Sequence, residues 1–297
     1  MNTRPASRWF GVLLALSCAC VAAAPAPPRP LLWKVSDGDN HVYLLGSFHA
    51  LKADDYPLAA SVDAAFADAE AVAFEISPEE MNSPQLPAKL LAAAALSDGK
   101  TLQQSMSVRS WTRLQRYADR RSLPLQNYQH FEPWFLSLLI SMKEMSLIGY
   151  DPKLGLDQVL IRRSAEAGKR TLGLETADQQ IAALDSMTAA EQQQSLAESL
   201  DEADDFKAQI NQLHDYWRAG DDVALDALLA VKFKREYPQL YKRIDVDRNQ
   251  AWLPKIRRML DEEKRDDTLV VVGSMHLLGG DGLVSQLKSK GYRVERL

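Results

Sequence analysis

Apolar residues along this chain form short strand-like runs near both ends, with longer helix-like stripes between them. Residues 31–36 (LLWKVS) and 41–46 (HVYLLG) flank Asp37-Gly38-Asp39-Asn40, which tolerate positive φ and make tight turns, so the opening predicts a β-hairpin. A helix is expected around Pro57, with Asp54 or Asp55 as cap and Leu58, Val62, Phe66 and Ala69 on one face. Residues 71–76 (AVAFEI), bounded by Ser77-Pro78, read as a buried strand carrying one carboxylate, Glu75. From about 83 to 168 the spacing is helical: Trp111, Leu114, Tyr117 and Ala118 share a face, and 131–148 is apolar nearly all round, which predicts a buried helix. Strand character returns at 170–175 (RTLGLE), again ending in a carboxylate, Glu175. A long polar helical region, 177–229, is expected to face solvent. A helix over roughly 247–263, an apolar strand at 268–272 (TLVVV), a helix at 282–290 and a terminal strand at 292–297 complete the chain.

This order predicts an α+β (α/β-like) domain over 31–297. A mixed sheet is assembled from N- and C-terminal strands, and the central insertion is largely helical. Composition adds exclusions: 46% hydrophobic and 25% charged residues with a net charge of −5 rule out a disordered chain and argue against nucleic acid as a partner. Arg4 and Arg8 precede the apolar run 9–21, and small residues follow, so 1–23 reads as an export signal and 24–30 as a proline-rich tether. The protein is therefore expected to be periplasmic or secreted. A lipoprotein anchor on Cys18 or Cys20, the two cysteines present, is the weaker reading. No stable membrane span is expected after the signal, because Lys143 and Glu144 interrupt the most apolar later segment.

Candidate chemistry rests on a repeated pattern. Gly46-Ser47-Phe48-His49 and Gly273-Ser274-Met275-His276 each follow a β-type run, and they hold two of five histidines. Glycine at a strand end permits close approach of backbone or ligand, and the loop beyond it is where α/β proteins place chemistry. Two imidazoles across one cleft can share a metal or polarise a substrate; the plainer reading is that each caps its own strand. A carboxylate inside an apolar strand costs several kcal/mol unless paired or coordinated, which marks Glu75, with an arginine salt bridge as the competing explanation. Asp157 is expected to cap a helix. The glycine-rich stretch 279–282 reads as a loop closing the His276 site.

At these residues the chain resembles the TraB/GumN family, which also contains the Tiki-type proteases. The likeness rests on LLWKVSDGDNHVYLLGSFH, the carboxylate of AVAFEIS, GLDQVL and GLET, Arg248-Asn249 with Trp252, and VVVGSMHLLGGDGLVSQLKSKGY. It implies an erythromycin-esterase/Tiki-like α+β fold with one site made by His49, Glu75 and His276, its loops shaped by Gly46 and Gly273. Arg248 and Asn249 are placed by the family's Arg-Asn pair, and Glu175 by its Leu-Glu-Thr segment. The Tiki branch implies a metal-dependent peptidase, and the erythromycin-esterase type a metal-free hydrolase.

The leading expectation is an exported metal-dependent hydrolase. His49, Glu75 and His276 are a sensible donor set for Mn²⁺, Co²⁺ or Zn²⁺, Glu175 accepts a proton, and Arg248 steadies an oxyanion. The substrate would be a peptide or a small ester or amide. The first alternative is a metal-free esterase or amidase using a His/Glu general base. The second is a non-catalytic binding or regulatory protein. No H-E-x-x-H or G-x-S-x-G motif is present, so neither a zincin helix nor a serine elbow is expected.

Overall fold

The Asp37–Asn40 turn reverses the chain as the sequence predicts. Asp37 Oδ1 accepts from the amides of Asp39 and Asn40, and β1 (Leu32–Ser36) pairs antiparallel with β2 (His41–Ser47). The computed structural model describes residues 26–97, 99–201, 206–262 and 266–297. The expected export signal lies outside the described residues. Strands β3 (Ala71–Ile76), β4 (Arg170–Glu175), β5 (Thr268–Gly273) and β6 (Arg293–Arg296) complete one sheet in the order β4-β3-β5-β2-β1-β6. The strands from β4 to β2 are mutually parallel, and β1 is antiparallel to both of its neighbours.

Strand β5 is buried at every residue. Alternate side chains of a strand point to opposite faces, so helices must cover both, which is why this segment is apolar throughout. Val62 and Phe66 of the helix Ala60–Asp68, Leu156 and Leu160 of Leu156–Glu166, and Trp252, Ile256 and Leu260 of Asp247–Asp261 join the strands in one core. A second core lies in the helical insertion, where Leu114 and Tyr117 of Val108–Arg121 meet Trp134, Leu136 and Ile140 of Pro133–Leu147 and Leu196 of Ala189–Asp201.

Several expectations are corrected. Neither Asp54 nor Asp55 caps the first long helix, whose N-cap is Ala59; Asp55 is fully buried and receives His214 at 2.8 Å. The helix Pro133–Leu147 is not buried all round, because Met142 and Leu147 face outward while Glu144 is buried. The polar region 177–229 is not simply a solvated face: Leu196, Trp217 and Leu225 are completely covered. The described part of the tether packs down as well, since Arg29 N donates to Arg218 O at 2.8 Å and Pro28 O accepts from Ala59 N at 2.9 Å. Among the described residues no helix is long and apolar enough to cross a membrane.

Candidate active site

Parallel pairing of β2 with β5 sets Ser47 opposite Gly273, so both Gly-Ser-x-His loops leave the same carboxyl edge of the sheet. Strands β3 and β4 lie next in order and bring Glu75 and Glu175 to that edge, where open α/β sheets hold their ligands. Ser274 Oγ donates to Ser47 O at 2.9 Å and ties the two loops together. Gly46 permits that tie: a Cβ there would lie 2.9 Å from Ser274 Oγ and 3.0 Å from Leu31 Cβ. Gly273 is the floor of the site. A Cβ on it would stand 3.2 Å from His49 Nε2, 3.3 Å from Glu75 Oε1 and 3.7 Å from His276 Cδ2, so the three groups expected from the sequence crowd a single backbone position.

Two carboxylates share one guanidinium above that floor. Arg248, from the helix Asp247–Asp261, donates through Nη2 to Glu75 at 2.7 Å and to Glu175 at 2.6 Å, and through Nε to both Glu175 oxygens at 3.1 Å. Trp252 Nε1 donates to Glu175 at 3.2 Å, and the Trp252 ring lies beneath the guanidinium, 4.6 Å from its carbon. Gln180 bridges the two carboxylates through Nε2. Glu75 Oε1 also accepts the Gly273 amide at 2.7 Å. Burial alone would raise the Glu75 carboxyl, but His276, Arg248 and His49 outweigh it and hold the group at about 2. Burial likewise opposes charge on Arg248, and the two carboxylates override it, raising its pKa.

The two histidines are held differently. His276, in the 3-10 turn Ser274–Leu277, is buried, with Nδ1 2.9 Å from Asn249 Oδ1 and 3.1 Å from Asp245 Oδ1. Both partners are acceptors, while Nε2 faces the donor Nη1 of Arg248 at 3.2 Å. In the neutral ring this pattern places the proton on Nδ1, and the Nε2 lone pair accepts from Arg248 Nη1 at the edge of the cleft. Asn249 donates to Asp245 Oδ2 at 3.2 Å and to Asp281 O at 3.1 Å, which fixes its carbonyl on the ring. His49 is exposed at the mouth of the cavity, with 63% of its side chain open to solvent, and its Nδ1 lies 3.5 Å from Asp157 Oδ1. Desolvation in the cleft favours the neutral ring, but Asp157 and then Glu75 overcome it and raise His49 to about 9.

The profile of the TraB/PrgY/gumN family matches residues 31–296. The chain belongs to this family. It is similar to the uncharacterized protein YbaP of Escherichia coli (strain K12) and to YbaP of Shigella flexneri. Each is 23% identical over 255 residues, which is 84% of this chain and 89% of the relative.

In this TraB/PrgY/gumN chain the sequence-expected residues take distinct places. His49, Glu75, Arg248, Gly273 and His276 line one cavity of about 510 Å³. Asn249 is fully buried behind His276, and Gly46 serves loop packing. Both oxygens of Glu175 accept from Arg248, and Gln180 and Trp252 donate to it as well. Asp157 is not the cap expected of it: Gly155 occupies that position, and Asp157 lies beside His49. Sequence reasoning assigned no role to Gln180 and Asp245. Asp245 had one available signal, its place one helical turn before Asn249 on the same face.

Whether a divalent ion fits is decided by the donors. His276 Nε2 lies 3.9 Å from Glu75 Oε1, and an imidazole whose other nitrogen is held by an oxygen acceptor, here Asn249 Oδ1 with Asp245 behind it, is the usual form of a histidine ligand. As the side chains stand, no group of three His, Cys, Asp or Glu among the described residues is arranged to hold a metal ion. Arg248 Nη1 occupies the direction in which His276 would coordinate. The donor types therefore fit an ion, with Arg248 turned away from His276 Nε2.

Proposed function

We propose that this protein is a hydrolase of ester or amide bonds, with His276, Arg248 and His49 as the groups that meet the substrate. The observation that carries the reading is the convergence of a proton-accepting Nε2, a buried guanidinium and an acid-paired imidazole around Gly273. As Arg248 Nη1 turns from His276 Nε2 to the substrate oxygen, water enters between Nε2 and the carbonyl, and Nε2 takes its proton as the water oxygen attacks carbon. Arg248 holds the oxyanion that forms, in a desolvated place where its charge is worth more than in water. Collapse breaks the bond to the leaving oxygen or nitrogen, which receives a proton from His49. Glu75 and Glu175 keep the guanidinium aimed, and Asp245 with Asn249 keeps the His276 tautomer. The run 9–21 behind Arg4 and Arg8 supports action after export.

A second reading is favoured by the 3.9 Å approach of His276 Nε2 to Glu75 Oε1. Here His49, Glu75 and His276 would hold Mn²⁺, Co²⁺ or Zn²⁺, which would supply Lewis acidity. Hydrolysis of p-nitrophenyl esters and short peptides, with and without EDTA, separates the two. Activity that persists in chelator and disappears in His276→Ala supports the first reading. Activity lost in EDTA and restored by one of the ions selects the second. No turnover of any carboxyl substrate under either condition removes the hydrolase proposal.

A further inference from the structure

The cavity above Gly273 is charged only at its sheet end. Its opposite wall is built by Met145, Leu184, Ile210, Leu213, Leu229 and Ile244, and none of these carries a polar side chain. They come from five separate helical segments of the insertion: Pro133–Leu147, Ala177–Asp185, Phe206–Ala219, Ala227–Val231 and Lys242–Val246. All six are half-buried: Leu213 and Leu229 pack one side on the sheet core and Leu184 on the insertion core, and each of the six leaves apolar surface at the cavity. Complete burial is achieved nearby, by Trp217 on Phe206–Ala219 and by Leu196 and Leu225 on neighbouring helices, so the uncovered wall is not a general looseness of the insertion.

A second observation points the same way. The last two segments are π-turns, a rare backbone form that is frequent at functional sites. One carries Leu229 into the wall. The other carries Ile244 into the wall and Asp245 onto His276, so a single distortion serves both the apolar surface and the imidazole. At about 510 Å³ the cavity falls within the size range of sites for small organic ligands.

Building on the hydrolase reading, we infer that the substrate is an ester or amide whose acyl part is uncharged and apolar, seated on this wall while its carbonyl lies at Arg248. A charged or strongly hydrated acyl group would leave its polar atoms without partners there. An alkyl chain and an apolar amino-acid side chain share this chemistry, and the assay below tells them apart.

The test uses the full chain with p-nitrophenyl acetate, butyrate and octanoate, and with the p-nitroanilides of N-acetyl-glycine and N-acetyl-leucine. The expected result is a kcat/KM that climbs with acyl length by roughly two- to fourfold per methylene until the wall is covered. A leucyl preference exceeding the octanoyl one identifies a side chain as the natural occupant. Leu213→Gln and Ile244→Gln are each expected to lower the octanoate-to-acetate ratio about tenfold. Calorimetric binding of 2-decanone, an uncharged ketone that cannot be hydrolysed, gives a readout independent of turnover and of how those variants fold. Saturable 2-decanone binding without hydrolysis of any ester would keep the apolar site and sink the hydrolase reading. Hydrolysis with a flat length profile, no leucyl preference and no 2-decanone binding would keep the hydrolase and overturn the apolar site.

Discussion

Each of the two cores holds a buried carboxylate paired with arginine, and the contrast between them separates structure from function. In the helical insertion, Glu144 is 3% exposed and accepts Tyr117 at 2.7 Å and a bidentate Arg121 at 2.8 and 2.9 Å. One anion meets one cation, and the Glu144 oxygens are spent on them. At the sheet edge, Glu75 must share Arg248 with Glu175, and the excess charge faces two imidazoles and a cavity. A buried ion pair is thus no functional signal by itself; an ion pair left incomplete beside an opening is one.

The sharpest way to break that comparison is to remove a group from each side. His276→Ala is expected to lower kcat by about 10²–10⁴, the usual range for a proton-transfer group, whereas Glu144→Ala leaves kcat per folded molecule unchanged. Equal losses in the two variants would erase the distinction. Gly273→Ala should come next, with a drop of roughly 10- to 100-fold. Its Cβ would force His49 Nε2 and Glu75 Oε1 back by a few tenths of an ångström without straining the backbone. Full activity in that variant would show that the three groups need not converge.

Glu144→Ala should instead register as stability, about 1–3 kcal/mol in denaturant unfolding, because the buried Tyr117 hydroxyl loses its acceptor while Arg121 can reach water. The smallest effect concerns pH. His49 lies at about 9 against its usual 6.5, so the stability it contributes is complete below 6.5 and disappears as pH rises through 9. Glu75 lies at about 2 against 4.5, so its contribution is present above 4.5 and disappears as pH falls through 2. The melting temperature of the wild type should therefore exceed those of His49→Ala and Glu75→Gln by most between pH 4.5 and 6.5. Activity should decline above about pH 9 as the His49 acid loses its proton; a decline already near 6.5 would take His49 out of that role.

Strand positions were readable because their cause is local. The turn residues 37–40 and the unbroken apolar run of β5 predict elements that fall within a residue or two of those observed. The repeated Gly-Ser-x-His pattern likewise disclosed His49 and His276, since glycine at a strand end has few other uses. The helical insertion was read less well. Glu144 looked like an interruption of an apolar helix, yet it is buried through Tyr117 and Arg121, partners more than twenty residues earlier. The stretch 177–229 looked solvated because Ala177–Asp185, Ala189–Asp201, Phe206–Ala219 and Asp222–Asp226 divide its few apolar residues among different neighbours, so no single window shows a stripe.

By itself, then, the sequence determined which segments are strands, where the helical insertion interrupts them, and which two histidines and early glutamate are candidates to share one site. Those features follow from backbone preference and from the cost of an unpartnered charge, both of which act within a few residues. Only the tertiary structure decided that β5 slots between β2 and β3 and so joins the two ends of the chain at one edge. It also decided that Arg248 is divided between Glu75 and Glu175, that Asp157 and Asp245 each stand behind one imidazole, and that the insertion leaves an apolar wall over the site. Each of these depends on groups far apart in the chain meeting at distances of a few ångströms, and no local pattern records which distant partner a charge or a methyl group will find.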